Sequence, residues 1–193
     1  MSNRDDLMAA AKRCLREKGF TRTTARDLAA ASGVSLAAIG YHFGSKEALL
    51  SQAMIEATAE WVHQLEAALA AELDPTASLA TRFEIIWTRI LEVATANRQL
   101  WAANFEVSPY IDTMPEVQAV MAAAQEKARE GLADLFQRPN RVADAAADRA
   151  VGAFHYALMT GVIAQWLISP EKAPSAKDLA RALGIISADY LDR

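Results

Sequence analysis

The chain has 193 residues and 20.9 kDa, 52% hydrophobic and 23% charged, the profile of a globular protein and not of a disordered or collagen-like one. One large or two small domains are expected at this length, with enough buried surface to need neither disulfides nor a structural metal. A single cysteine, Cys14, excludes a disulfide framework and a thiolate cluster, and a net charge of −4 argues against a generic nucleic-acid binder.

The N-terminal run Met1-Ser2-Asn3-Arg4-Asp5-Asp6 lacks the basic-then-apolar order of a signal peptide, so a soluble, cytoplasmic chain is expected. Leu7, Ala11, Cys14, Leu15 and Lys18 then mark a first helix, opened by Asn3 and closed by Gly19. Thr24, with Asp27 three residues on, forms a capping box that opens a short helix through Ala31. Gly33 supplies the left-handed residue of a tight turn. Ser35 caps the next helix, with Val34 and Ile39 spaced as a hydrophobic staple.

A long helix starts near Ser45, striped by Leu50, Met54, Ala57, Trp61, Leu65 and Ala68. Further stripes run through Leu79, Phe83, Ile86, Trp87, Ile90 and Ala94, and through Val117, Met121, Ala124, Ala128, Leu132 and Leu135. Two more helices are expected near 142–169 and 175–192, the last capped by Ser175 with Asp178. All six prolines fall between these stretches and no segment alternates as a strand does. The expectation is an all-α fold of about nine helices.

Residues 150–169 carry no formal charge over 20 positions, long enough to span a bilayer. His155, Tyr156, Thr160 and Gln165, and dilution by alanine and glycine, favour a buried or intersubunit helix over a membrane span.

Charge is uneven. Residues 1–50 hold eight Lys/Arg against five Asp/Glu, a local +3, and the remainder twelve against nineteen, −7. A basic module on an acidic body is the arrangement of a part that meets an anion. It coincides with the two short helices joined by a glycine turn, which is either a helix-turn-helix or an ordinary αα-corner.

The run from Thr24 to Lys46, with LAAASGVS, YHF and GSKEALL, resembles the DNA-binding domain of TetR-type transcriptional regulators over roughly residues 5–50. The resemblance implies a DNA-binding helix-turn-helix domain at 1–47 and a divergent helical effector-binding and dimerisation domain at 48–193. It implies that Thr24 and Ser35 offer helix N-termini to phosphates, that Tyr41 and His42 touch backbone and base edges, and that Lys46 pairs with a phosphate. Phe43 is then a core aromatic holding the recognition helix. Two positions depart from the family pattern: Gly40, where a larger residue is usual, and Ala37, where glycine is frequent.

The recognition positions Leu36, Ala37, Ala38 and Gly40 carry no bidentate donor for guanine or adenine. Discrimination is expected to lean on Tyr41, His42, thymine methyls and DNA deformability, with Thr24, Arg26, Ser35 and Lys46 giving affinity through phosphates.

In the body, Trp61, Trp87, Trp101, Phe105, Met121 and Phe154 suit either a core or an apolar effector pocket, with His63, Asn104 and His155 as polar candidates to orient a ligand. The histidines show no metal spacing, and no metal or cofactor is expected. Ala153, Ala157 and Gly161 form a smooth stripe, and Leu179, Leu183, Ile186 and Tyr190 a second one. Two such helices per subunit would make an intersubunit four-helix bundle, as the resemblance also implies, giving a homodimer on a roughly palindromic operator.

No GxSxG, HExxH, CxxC or P-loop spacing supports an enzyme. A helical ligand carrier without site-specific DNA binding is the other alternative. The expected function is a dimeric repressor released from DNA by a small apolar effector through movement of the fourth helix.

Overall fold

The computed structural model describes residues 2–74, 76–136 and 144–191. Among them the elements are α1 (Asn3–Lys18), α2 (Ala25–Ser32), α3 (Leu36–Phe43), α4 (Lys46–Glu72), α5 (Leu79–Ala96), α6 (Arg98–Val107), a 3-10 turn (Ser108–Thr113), α7 (Pro115–Phe136), α8 (Ala145–Ile168) and α9 (Ala176–Leu191), with no strand. The all-α expectation is met.

The local signals act much as read. Thr24 and Asp27 exchange both bonds of a capping box at α2, and Gly33 closes that helix in the left-handed region at φ 72°. Ser45 Oγ accepts from the Ala48 amide and starts α4. Ser175 and Asp178 form the same reciprocal pair at α9. One start is corrected. Ser2, not Asn3, caps α1, because Asp5 stands three residues after it and completes a capping box, which places Asn3 inside the helix.

Residues 1–62 and 97–126 form one compact unit, 63–96 and 127–193 another, so the packing units are drawn differently from the division at residue 47. In the first, α1 buries Leu7, Ala11, Cys14 and Leu15 against Leu28 of α2, Ile39 of α3, and Leu49, Leu50 and Met54 of α4. Leu100, Ala103 and Val107 of α6 and Val117 of α7 complete the same cluster.

In the second unit, Phe83, Ile86, Trp87 and Ile90 of α5 are buried, as are His155, Met159, Val162 and Ile163 of α8. Helix α8, uncharged from residue 150 onward, is the one helix among the described residues long and apolar enough to cross a membrane, and 28% of its most apolar stretch is buried within the chain. It is covered on one side only. Ala153, Phe154, Ala157, Gly161 and Ile168 lie on its exposed side.

Helices α7 and α8 touch at Gly152, where an added Cβ would lie 2.2 Å from the carbonyl oxygen of Arg129. That contact is with backbone, which cannot swing aside. Gly152→Ala should therefore lose about 1–3 kcal/mol of unfolding free energy. Gly131→Ala, on the same α7 with open space around it, should be neutral or gain up to about 1 kcal/mol. Urea titration of both variants measures the difference, and equal stabilities would show that the close approach is absent.

Candidate nucleic-acid interface

The candidate interface is assembled around α3. Its N-cap Ser35 makes no side-chain capping bond, so its hydroxyl and the first amides of α3 are presented outward. Thr24 differs: its hydroxyl accepts from the Asp27 amide and donates to Asp27 Oδ2 at 2.7 Å. The Asp27 carboxylate is itself held by Lys18 Nζ at 2.6 Å. The Lys18 contact, then Thr24, drives its pKa far below the ordinary carboxylate value. Lys18 thus neutralises the acidic group at the α2 N-terminus, where a phosphate would otherwise be repelled.

Along α3, Leu36 is 49% exposed and Tyr41 86% exposed, while Ala38 and His42 are half-buried. Ala37 and Gly40 are exposed, and a Cβ at Gly40 would meet nothing within 4 Å. The Tyr41 and His42 rings meet edge to face at 4.9 Å. Phe43 packs against the apolar cluster beneath, in the structural place expected of it. Arg26 is exposed, and Lys46 at the start of α4 lies 3.0 Å from Glu47.

Basic charge is more committed than the count suggests. Lys12 bridges Glu56 at 3.0 Å and Glu60 at 2.7 Å, tying α1 to α4, and Arg13 donates to the Ala31 carbonyl. One residue not anticipated from sequence is Arg4, whose guanidinium lies 5.2 Å from the Phe43 ring centroid. This places a cation beside the C-terminal end of α3. The available signal was only a basic residue in the first turn of α1.

The residues assigned to a ligand do not form one group. Trp61 and Trp101 meet edge to face at 5.2 Å in the first unit, with both indole N–H groups buried and unpaired. Met121 lines that unit's core, Phe105 is exposed, and Asn104 donates to the Leu100 carbonyl of its own helix. In the second unit, His155 stacks flat on Phe136 at 3.7 Å beside Phe83, and Trp87 lies 6.2 Å from Phe136. Two expected ligand positions are corrected. His63 lies at the surface beside Glu66, and Phe154 faces away from the second core, 51% exposed. Both lie on the outer side of their helices, which the composition of the stretch does not reveal.

Among the dimer candidates, Ala153, Ala157, Gly161 and Ile186 are exposed and Leu183 half-buried. Leu179 is corrected: it is buried in its own chain, because that side of α9 packs on α5. Ile185 and Ile186 carry the exposed side instead. The Tyr190 side chain lies outside the described residues.

A three-helix core with a half-exposed recognition helix, an outward N-terminus and flanking cations defines a helix-turn-helix DNA-binding protein. Residues 7–53 match the profile of the bacterial regulatory proteins, tetR family. The chain is 25% identical over 184 residues to the HTH-type transcriptional regulator TtgR of Pseudomonas putida, spanning 92% of this chain and 86% of TtgR. Its fold is similar to the crystal structure of the multidrug binding protein EbrR complexed with imidazole, with a TM-score of 0.68, 23% identity and 95% of each chain covered. It is also similar to a TetR transcription regulator from Haloarcula marismortui ATCC 43049, with a TM-score of 0.64, 20% identity and 97% and 96% coverage. Residues 7–53 therefore carry a DNA-binding domain of the tetR-family kind, and over most of its length the chain is similar to a DNA-binding transcriptional regulator.

His155 yields a pH test of the second core. Burial at 7% exposure pushes its pKa down from 6.5 to about 4. As pH falls from 6.5 towards 4, the unfolded chain takes up a proton that the folded one refuses, so stability falls across that window. The loss reaches up to about 3 kcal/mol. His155→Phe, which keeps a ring on Phe136, should flatten this dependence. Denaturant midpoints at the two ends of the window compare them, and parallel losses would mean that His155 titrates freely.

Proposed function

We propose that the chain is a cytoplasmic homodimeric repressor that holds a roughly palindromic operator and is released by a small, largely apolar effector. Residues 1–47 read DNA, and 48–193 sense the effector and dimerise. The observation that carries DNA reading is the outward N-terminus of α3 at Ser35, with Tyr41 exposed on the same helix and Lys46 just beyond it. Backbone amides and the Ser35 hydroxyl take a phosphate, Lys46 takes another, and Leu36, Ala37, Ala38, Tyr41 and His42 face base edges. Thr24 contributes its helix N-terminus, because its hydroxyl is engaged with Asp27.

The effector reading is supported by buried, unpaired polar atoms among aromatic rings: the indole N–H groups of Trp61, Trp101 and Trp87, and His155 Nδ1. A ligand with a few hydrogen-bonding atoms on an apolar body would satisfy the groups of either cluster taken by itself. EbrR, of similar fold, has been crystallised with imidazole and with proflavin. The dimer reading is supported by the exposed small-residue side of α8, where Ile168 is 85% exposed, and by Ile185 and Ile186 on α9. A soluble regulator gains by covering such a surface with a second copy.

The reading is tested by titrating the chain against a duplex that it selects from a randomised pool. Binding should be site-specific and fall steeply with salt. Lys46→Ala should weaken selected and random duplexes by the same factor and reduce the magnitude of the salt slope by about 1. A change in preferred sequence would instead place Lys46 at a base. Ala157→Glu, in the middle of the exposed α8 stripe, should halve the mass seen in sedimentation and lower operator affinity at least about tenfold. A variant that stays dimeric would put the interface elsewhere.

A further inference from the structure

Between α1 and α2 the chain turns over residues 19–24, and Thr24 at its end is the N-cap of α2. One side of this turn is tied to α1: the Gly19 amide donates to the Leu15 carbonyl at 3.1 Å, and Arg22 Nε to the Lys18 carbonyl at 2.8 Å. Thr23 is buried and donates to the Gly19 carbonyl at 2.7 Å. The other side is tied to a carboxylate 85 residues away. The amide and hydroxyl of Thr21 both donate to Glu106 Oε2, at 2.9 and 3.0 Å. Gly19 sits so close beneath that an added Cβ would lie 2.8 Å from Glu106 Oε1. Its φ of +83° independently favours glycine.

We propose that Glu106 is a positioning residue for operator binding: from α6 it holds the α1–α2 turn, and with it the α2 N-terminus, in the arrangement that meets DNA. The proposal rests on the regulator assignment and adds a residue that touches no DNA. An ionised carboxylate only accepts, so one oxygen can gather two donors from one residue and fix both their direction and spacing. Helix α6 is already anchored without it, since Leu100, Ala103 and Val107 are buried in the shared core. Glu106 therefore adds little to holding α6 and much to holding the turn. It also lies five residues after Trp101, whose ring meets Trp61. A ligand that displaced Trp101 would move Glu106 with its helix.

The test uses the full chain and a duplex selected by the wild-type protein. Glu106→Ala should weaken binding by about tenfold and Thr21→Val by about threefold. The double variant should be no worse than Glu106→Ala alone, because both remove one contact. Glu106→Gln keeps an acceptor oxygen in place and should recover most of the affinity. Salt slopes should be unchanged in all four, since no phosphate contact is lost. Denaturation midpoints separate a positioning effect from unfolding, and Thr21→Val, an exposed change, serves if Glu106→Ala folds poorly. Affinity of folded Glu106→Ala within twofold of wild type would overturn the proposal. So would fully multiplicative effects of the two substitutions, or a slope reduced by one phosphate. Failure of the regulator assignment looks different: the wild-type chain would select no duplex at all, and the proposal would fall with it.

Discussion

The buried side of α1 is the surface on which the DNA-reading end is built. Leu7, Ala10 and Ala11 are fully enclosed, and Cys14 and Leu15 nearly so. Against this side α2 and α3 pack from within the module, and α6 packs from much later in the chain. A core of this kind tolerates little change of volume. The core under the recognition helix therefore includes residues near position 100 as well as those near 30. The matched family profile ends at residue 53, while the packing unit takes in residues 97–126.

Electrostatics follows from the same packing. Of the eight basic residues in the first 50, Lys12 serves α4 and Lys18 serves Asp27. These pairs are exposed at one or both partners, so each contributes modestly to stability. Their larger effect is on where uncompensated charge remains. Arg4 over Phe43 and exposed Arg26 flank the helix-turn-helix, while Lys46 shares its charge with Glu47. The +3 of the module is thus a blunt description of a field concentrated by which cations are already spoken for.

What the sequence reveals divides by distance along the chain. The capping pairs Thr24–Asp27 and Ser175–Asp178, and the turn at Gly33, involve partners within a few residues, and each is readable from spacing. Arg4 on Phe43 and Thr21 on Glu106 join distant segments, and no periodicity announces them. Helical stripes predict that a residue faces something apolar without saying whether that is its own chain. Leu179 and Ile186 lie on one predicted stripe, yet the first is buried and the second exposed. The aromatic residues of the body are recognisable as bulk, but their division into a Trp61–Trp101 pair and a cluster around His155 is a product of folding.

The recognition helix itself sets a limit on how this regulator can discriminate. A bidentate side chain contributes about 1–3 kcal/mol of preference at one base pair, and Leu36, Ala37, Ala38 and Gly40 supply none. Tyr41 can add one hydroxyl, and open space at Gly40 lets the groove floor approach the backbone. In a dimer of the kind proposed, preference per half-site would be small and would grow chiefly by requiring two half-sites at a fixed separation. In the proposed dimer that separation is set by the apolar side of α8, which reads no base. Specificity in such a protein resides less in the letters that α3 can read than in how rigidly two copies of it are held apart, so a loosened interface and a loosened Thr21–Glu106 contact would degrade the same quantity.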